Sequence, residues 1–288
     1  MKLGAIYTQR EMGGGPQVLT RFGVALEASG FDHVMVPDHV AVAVREGRDP
    51  PLGGIYDEKD PFHDPFVTFA YLAAITERLE FLTGVMVLPQ RQTVLVARQA
   101  ADVDLLSGGR LSLGVGTGWN YVEYEALGED YHRRGRKLDE QLVYLRRLWT
   151  EEAFSFDGQF HKLDRANIAP RPQRSIPIYC GGYVDAAYRR AAKLADGFVF
   201  VMGRGSPLDG WARVQELLRA EGRRVEDFHA HFALSPATPA NAAETALRLR
   251  DAGAAALSLG SGGKGFSSLD QHLDFLTECR DQMRAALR

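Results

Sequence analysis

Three stretches of the chain put reactive or permissive residue types where a fold could display them. Pro37-Asp38-His39 closes the apolar run Val34-Met35-Val36. Histidine is the natural acid–base near neutral pH. A lone histidine more often serves as an ordinary hydrogen-bonding group, and a place at a strand's end is what singles this one out. The second stretch is Gly114-Val115-Gly116-Thr117-Gly118-Trp119. It looks like a dinucleotide-binding fingerprint and fails as one, because Trp119 stands where the third glycine belongs and no acidic residue follows clearly at the right distance. Gly114, Gly116 and Gly118 either relieve crowding or let something flat and large lie against the backbone. The third stretch is Cys180-Gly181-Gly182-Tyr183, just before a helix. Paired glycine N–H groups at a helix start form an anion nest, unless the pair is only a tight turn.

Two further features carry less. Gly84 interrupts the β-branched run Leu82-Thr83-Gly84-Val85-Met86-Val87-Leu88. A glycine inside a strand marks a bulge or the close approach of a ligand. His229 and His231 alternate along one strand face and could ligate a metal. No second His, Asp or Glu cluster sits at another strand end, so no metal is expected. A Gly-x-Ser-x-Gly elbow and a Walker Gly-Lys-Ser/Thr are both absent from the sequence.

The elements that must position these residues alternate strand with helix. Strands read at Leu3 to Tyr7, His33 to Pro37, Phe81 to Leu88, Arg110 to Gly116, Ile176 to Gly181, Gly197 to Met202, Phe228 to Leu234 and Ala255 to Leu259. Helical spacing of apolar residues fills the intervals, as in Leu19, Phe22 and Leu26. Asp64-Pro65 opens one helix as an N-cap followed by proline. Phe154 to Gln173 reads as irregular. Eight strand–helix units imply parallel pairing and favour a closed (β/α)8 TIM barrel, with insertions after strands 2 and 4. Residues 1–288 read as a single barrel domain. On the fourth strand Leu111, Leu113 and Val115 alternate with Ser112, Gly114 and Gly116, so the small set is expected to face the barrel axis.

Composition removes other classes. The 288 residues include 34 basic and 37 acidic ones, a net charge of −3, with 45% hydrophobic and 25% charged. Those values are average for soluble chains. The balance leaves no electrostatic footprint for nucleic acid. No apolar run approaches the roughly 18 residues of a membrane span. Cys180 and Cys279 are too few for a disulfide framework, and the start lacks signal-peptide character, so a cytoplasmic setting is expected.

Taken in order along the chain, these motifs resemble the luciferase-like monooxygenase superfamily, and within it the coenzyme F420-dependent oxidoreductases. The matching stretches are Pro37-Asp38-His39; Asp64-Pro65-Phe66-Val67 through Thr76; Leu82-Thr83-Gly84-Val85 to Pro89-Gln90-Arg91; Leu106-Ser107-Gly108-Gly109-Arg110; Gly114 to Trp119 with Glu123; Arg134-Gly135-Arg136 with Asp139-Glu140; and Gly181-Gly182 with Ala195-Asp196-Gly197. The resemblance implies a flavin or deazaflavin at the C-terminal rim, beside a cis peptide that maps to Gly84-Val85. Asp38, Val87 and Thr117 match cofactor contacts, with Gly118 beside them, and Gly181 and Gly182 match the phosphate site. His39 matches a residue near the reactive face of the ring. In a sugar-phosphate-oxidising relative the position of Trp119 is an acidic proton donor, so that role does not transfer here. Glu123, one helical turn on, is a catalytic candidate that could equally be structural.

The implied activity is hydride transfer between coenzyme F420 and a small organic carbonyl, alcohol or activated alkene. Alternatives on the same barrel are an FMN-dependent monooxygenase and a non-catalytic flavin-binding protein. The resemblance also implies a homodimer acting on a small-molecule substrate. An anionic coenzyme calls for basic groups, and Arg91 and Arg171 are the candidates.

Overall fold

The computed structural model describes residues 1–202 and 205–288. Its barrel strands are β1 (Lys2–Ile6), β2 (His33–Val36), β3 (Glu80–Thr83), β4 (Leu111–Gly116), β5 (Ile178–Gly181), β6 (Gly197–Val201), β7 (His229–Leu234) and β8 (Ala256–Leu259). Each pairs in parallel with the next. Registers from Lys2↔Ala256 to Ala5↔Leu259 join β1 to β8 and close the ring. The helices are α1 (Pro16–Ala28), α2 (Pro65–Ala73), α3 (Thr93–Leu106), α4 (Arg134–Thr150), α5 (Asp185–Leu194), α6 (Pro207–Ala220), α7 (Pro239–Asp251) and α8 (Leu269–Leu287). Each follows the strand of the same number, and shorter helical turns at Gln9–Met12 and Tyr121–Ala126 sit between. None of the helices among the described residues is long and apolar enough to cross a membrane.

The alternation on β4 sorts as its sequence pattern demands. Leu111, Leu113 and Val115 are fully buried outside the barrel, in one apolar cluster with Val96 and Ala100 of α3 and Leu142 and Leu145 of α4. Gly114 and Gly116 face the other way: a Cβ on Gly114 would strike the Thr83 carbonyl, and one on Gly116 would lie 2.8 Å from Val85 Cγ2. The small residues therefore let β3 and β4 approach each other at the axis.

Two layers fill the interior below the mouth. At the N-terminal end, His33 and His231 share the Ser258 hydroxyl at 2.7 and 2.8 Å. His229 stacks on Tyr179, with ring centroids 4.6 Å apart. Burial pushes His33 down to about 3 and His229 to about 4, so both imidazoles stay neutral. The histidine pair on β7 is thus part of a buried hydrogen-bonded layer. Above it Met35, Leu82, Tyr179, Val199 and Ala233 make an apolar floor, with Ile6, Val85 and Val201 against it.

Two expectations change. The third strand does not run unbroken from Phe81 to Leu88. It stops at Thr83, passes through a cis Gly84–Val85 peptide, and pairs with β4 again only at Met86 and Val87. The bond is cis where the resemblance placed it. The irregular stretch after α4 contains an antiparallel hairpin, Phe154–Asp157 with Lys162–Ala166. Its signal was the alternation Phe154-Ser155-Phe156 followed by Asp157-Gly158, a turn-forming pair.

Arg110, at the start of β4, ties the N-terminal end together. Its guanidinium donates to the carbonyls of Ser107 (2.7 Å), Leu79 (2.9 Å), Thr76 (2.9 Å) and Ala73 (3.1 Å). These close the C-terminal end of α2 and the turn into β3. Arg110→Ala leaves several carbonyls without donors at once, and should cost about 2–4 kcal/mol in urea unfolding with an unchanged m-value. A loss under about 0.5 kcal/mol would contradict this role.

Candidate active site at the C-terminal rim

Parallel strands in a closed barrel all end at the same rim, so residues distant in sequence meet there. Asp38 follows β2 directly and is buried. Its Oδ2 accepts the Val87 N–H at 3.1 Å, fixing the backbone just past the cis bond. Its Oδ1 accepts from Arg91 Nη2 at 2.7 Å. Arg91 Nη1 also donates to Asp64 Oδ2 at 3.0 Å, while Asp64 Oδ1 caps α2 through the Phe66 N–H at 2.9 Å and the Val67 N–H at 3.2 Å. A chain of charges therefore runs from the bend after β3 to the first turn of α2. Burial works against the Arg91 cation, but Asp38 and Asp64 outweigh it and hold the guanidinium charged.

His39 and Glu123 come together across 84 residues of sequence, with Nδ1 3.1 Å from Glu123 Oε2. Glu123 is only 1% exposed. Its Oε1 accepts the Ala41 N–H at 3.0 Å and also the Val40 N–H. Burial alone would raise this carboxyl. The His39 contact and the two backbone donors more than reverse that and hold it below its ordinary value. An ionised carboxylate can only accept, so Nδ1 carries a proton, and in the neutral ring Nε2 is the nitrogen with the lone pair. Asn120 arranges the meeting. Its Oδ1 caps the Tyr121–Ala126 turn by accepting from Val122 and Glu123 N–H at 3.2 and 3.3 Å, and its Nδ2 donates to the Ala41 carbonyl at 3.1 Å.

The base of the mouth is narrow and glycine-lined. Val85 stands between Gly116 and Gly181, where added Cβ atoms would lie 2.8 and 2.9 Å from its methyls. Gly118 has φ +64°, and a Cβ there would meet Val87 Cγ1 at 2.6 Å. Gly182 has φ +149° and lies over Ala187 in the first turn of α5. The Thr117 carbonyl accepts from the Tyr124 hydroxyl at 2.7 Å. Just past Val87, the Gln90 amide is 3% exposed with neither of its polar atoms partnered.

The rim thus gathers Asp38, His39, Gly84, Val85, Val87, Thr117, Gly118, Glu123, Gly181 and Gly182. The two basic candidates go elsewhere. Arg91 is spent on Asp38 and Asp64, and Arg171 precedes β5 at the opposite end of the barrel, where it donates to the Thr150 carbonyl at 3.1 Å. Their charge was legible in the sequence, but their partners were not. Sequence reasoning also missed Asn120 and, among the rings that surround His39, Tyr56 and Phe62. Tyr56, Phe62 and Trp119 pack edge-on to the imidazole, with centroids 5.4, 5.1 and 5.3 Å away. For Tyr56 and Phe62 the aromatic content of the β2 loop was the only signal.

Comparison with known proteins identifies the family and the fold. The luciferase-like monooxygenase family model matches residues 3–285. The chain is 36% identical over 211 residues to an uncharacterised protein of Mycobacterium tuberculosis (strain ATCC 25618 / H37Rv), covering 72% of this chain and 73% of that one. It is 35% identical over 207 residues to the pyrimidine monooxygenase RutA of Pantoea ananatis (strain LMG 20103), covering 68% and 56% respectively. An F420-dependent secondary alcohol dehydrogenase, solved with an F420–acetone adduct, superposes with TM-score 0.78 at 17% identity, covering 98% of this chain and 99% of that one. The monooxygenase RslO1 from Streptomyces bottropensis gives TM-score 0.70 at 21% identity, covering 100% and 87%. Those two likenesses establish the barrel. The match across almost the whole sequence goes further: this chain belongs to the luciferase-like monooxygenase family.

Proposed function

We propose that the protein is an F420-dependent oxidoreductase that moves hydride between the deazaflavin and a small organic carbonyl, alcohol or activated alkene. The buried His39–Glu123 pair carries this reading. A carboxylate that receives three N–H donors and fixes one imidazole tautomer is the arrangement that general acid–base catalysis needs. The remaining residues fit a flat ring system. The glycines of β4 and β5 let Val85 stand against their backbone at the base of the mouth. Val85 would back the ring, Asp38 would hold the Val87 backbone beside it, and Gly181 and Gly182 at the start of α5 would receive the phosphate.

When bound, the coenzyme supplies or accepts the hydride. His39 handles the proton that must move with it. In alcohol oxidation Nε2 takes the hydroxyl proton, and in carbonyl reduction it returns that proton to oxygen. Glu123 stabilises the imidazolium formed in between. The ionised carboxylate also keeps Nε2 as the basic nitrogen.

An FMN-dependent monooxygenase is the second reading. It is supported by the 35% identity to a pyrimidine monooxygenase over 68% of this chain. Titrating the apo-protein separates the two: F420 should bind at least about tenfold more tightly than FMN, a difference of about 1.4 kcal/mol. The reverse preference would overturn the proposal in favour of the monooxygenase.

His39→Ala should lower turnover by on the order of 10²-fold or more while changing coenzyme affinity little. Unchanged turnover with weakened coenzyme binding would make His39 a positioning residue. Glu123→Gln should lower turnover as well, and it carries a pH signature. The folded carboxyl lies below its ordinary 4.5, so its stabilisation is complete above that value and is lost as pH falls through the folded one. Wild type should therefore be more stable than Glu123→Gln at pH 7, and the gap should close in acid. A gap that stays constant down to the acid transition would count against an ionised, paired Glu123.

A further inference from the structure

The surroundings of His39 select among substrates. Tyr56, Phe62 and Trp119 stand at 67°, 72° and 66° to the imidazole plane, and all three are half-buried. Trp119 is held flat against the chain at Gly54, where a Cβ would lie 2.5 Å from Trp119 Cζ2. Tyr56 and Phe62 are edge-on to each other at 4.9 Å. The three rings therefore pack around the imidazole, in edge-on contact with it. The same loop adds apolar surface outside, since Val40, Val44 and Ile55 are exposed.

Among the described residues, Arg10, Arg45, Arg48 and Arg91 are engaged. Arg45 donates to the carbonyls of Leu52, Gly53, Gly54 and Tyr56 at 2.9–3.3 Å. Arg48 donates to the Val44 carbonyl at 3.0 Å. Arg10 pairs with Asp60 at 2.7 Å, and Arg91 lies between Asp38 and Asp64. The charge in contact with His39 is the Glu123 carboxylate. An anionic substrate would thus lose its hydration beside the Glu123 carboxylate and gain none of these engaged arginines. A neutral ring would find edges and faces set for aromatic contact.

We propose that the substrate is a neutral carbonyl or alcohol with an aromatic or similarly flat apolar group beside the reacting carbon, held by Tyr56, Phe62 and Trp119, and that carboxylate- or phosphate-bearing substrates are excluded. This rests on the F420 reading above. The step balances: hydride leaves the carbinol carbon for the oxidised coenzyme, the hydroxyl proton passes to His39 Nε2, and an aryl carbonyl remains. In reverse, the reduced coenzyme provides both electrons and imidazolium provides the proton.

Benzamide and benzoate share a shape and differ in charge, so they test the selection without any reaction. Trp119 is half-buried while Trp149 and Trp211 are each 3% exposed, so quenching by a small ligand reports on Trp119. Benzamide should quench wild-type fluorescence saturably, with a dissociation constant at least about tenfold below that of benzoate, and Trp119→Phe should remove the signal. In the F420-loaded enzyme, Phe62→Ala and Tyr56→Leu, each checked by thermal melting, should lower kcat/KM for benzaldehyde by about tenfold or more while the F420 dissociation constant shifts less than about threefold. Equal binding of benzoate, or a kcat/KM for pyruvate matching that for benzaldehyde, would overturn the proposal. Benzamide selectivity without F420 binding would sink the coenzyme reading and leave the aromatic site standing. F420 binding without benzamide selectivity would do the opposite.

Discussion

A carboxylate buried to 1% exposure sets the terms for the whole rim. Glu123 is tolerable there only because three N–H groups point at it, from His39, Val40 and Ala41. An unpaired charge in that position would be among the costliest features a fold could hold. The requirement acts in both directions along the chain. It pulls the start of the long β2 loop onto the turn after β4, and it needs Asn120 to begin that turn at the right residue. It also aligns His39, because the imidazole must offer Nδ1 to the carboxylate. Orientation and proton chemistry thus come from one contact.

The second buried charge line, Asp38–Arg91–Asp64, performs a similar service lower down. It clamps the segment after the cis Gly84–Val85 bond to the cap of α2. Val85 then stands at the centre of the mouth, between glycines on β4 and β5. The rim therefore has an apolar, backbone-lined base with the His39–Glu123 pair above it. That division suits a flat cofactor below and a small substrate beside His39.

The barrel was legible because its signals are local. Alternation on β4 separated Leu111, Leu113 and Val115 from the small residues, and Asp64-Pro65 marked the start of α2. The break in β3 was harder, since Leu82 to Leu88 is mostly apolar and only Gly84 hints at an interruption. The hairpin at Phe154–Ala166 was lost among nearby prolines. Within the site, Asp38, His39 and the glycines announced themselves by type and place. Glu123 was visible as a candidate, but its partner lay 84 residues away, and pairing at that distance comes from barrel closure and not from any local pattern. Arg91 and Arg171 show the same limit: a basic residue in a sequence does not say whether a ligand or a neighbouring carboxylate will claim it.

The tautomer of His39 tests the central claim most directly. Two-bond 1H–15N correlation of the imidazole, at a pH where the ring is neutral, distinguishes the two ring nitrogens. Nδ1 should be protonated and Nε2 bare in the wild-type protein, with that fixed preference lost in Glu123→Gln. A proton resident on Nε2 with Nδ1 bare, in the wild type, would contradict it.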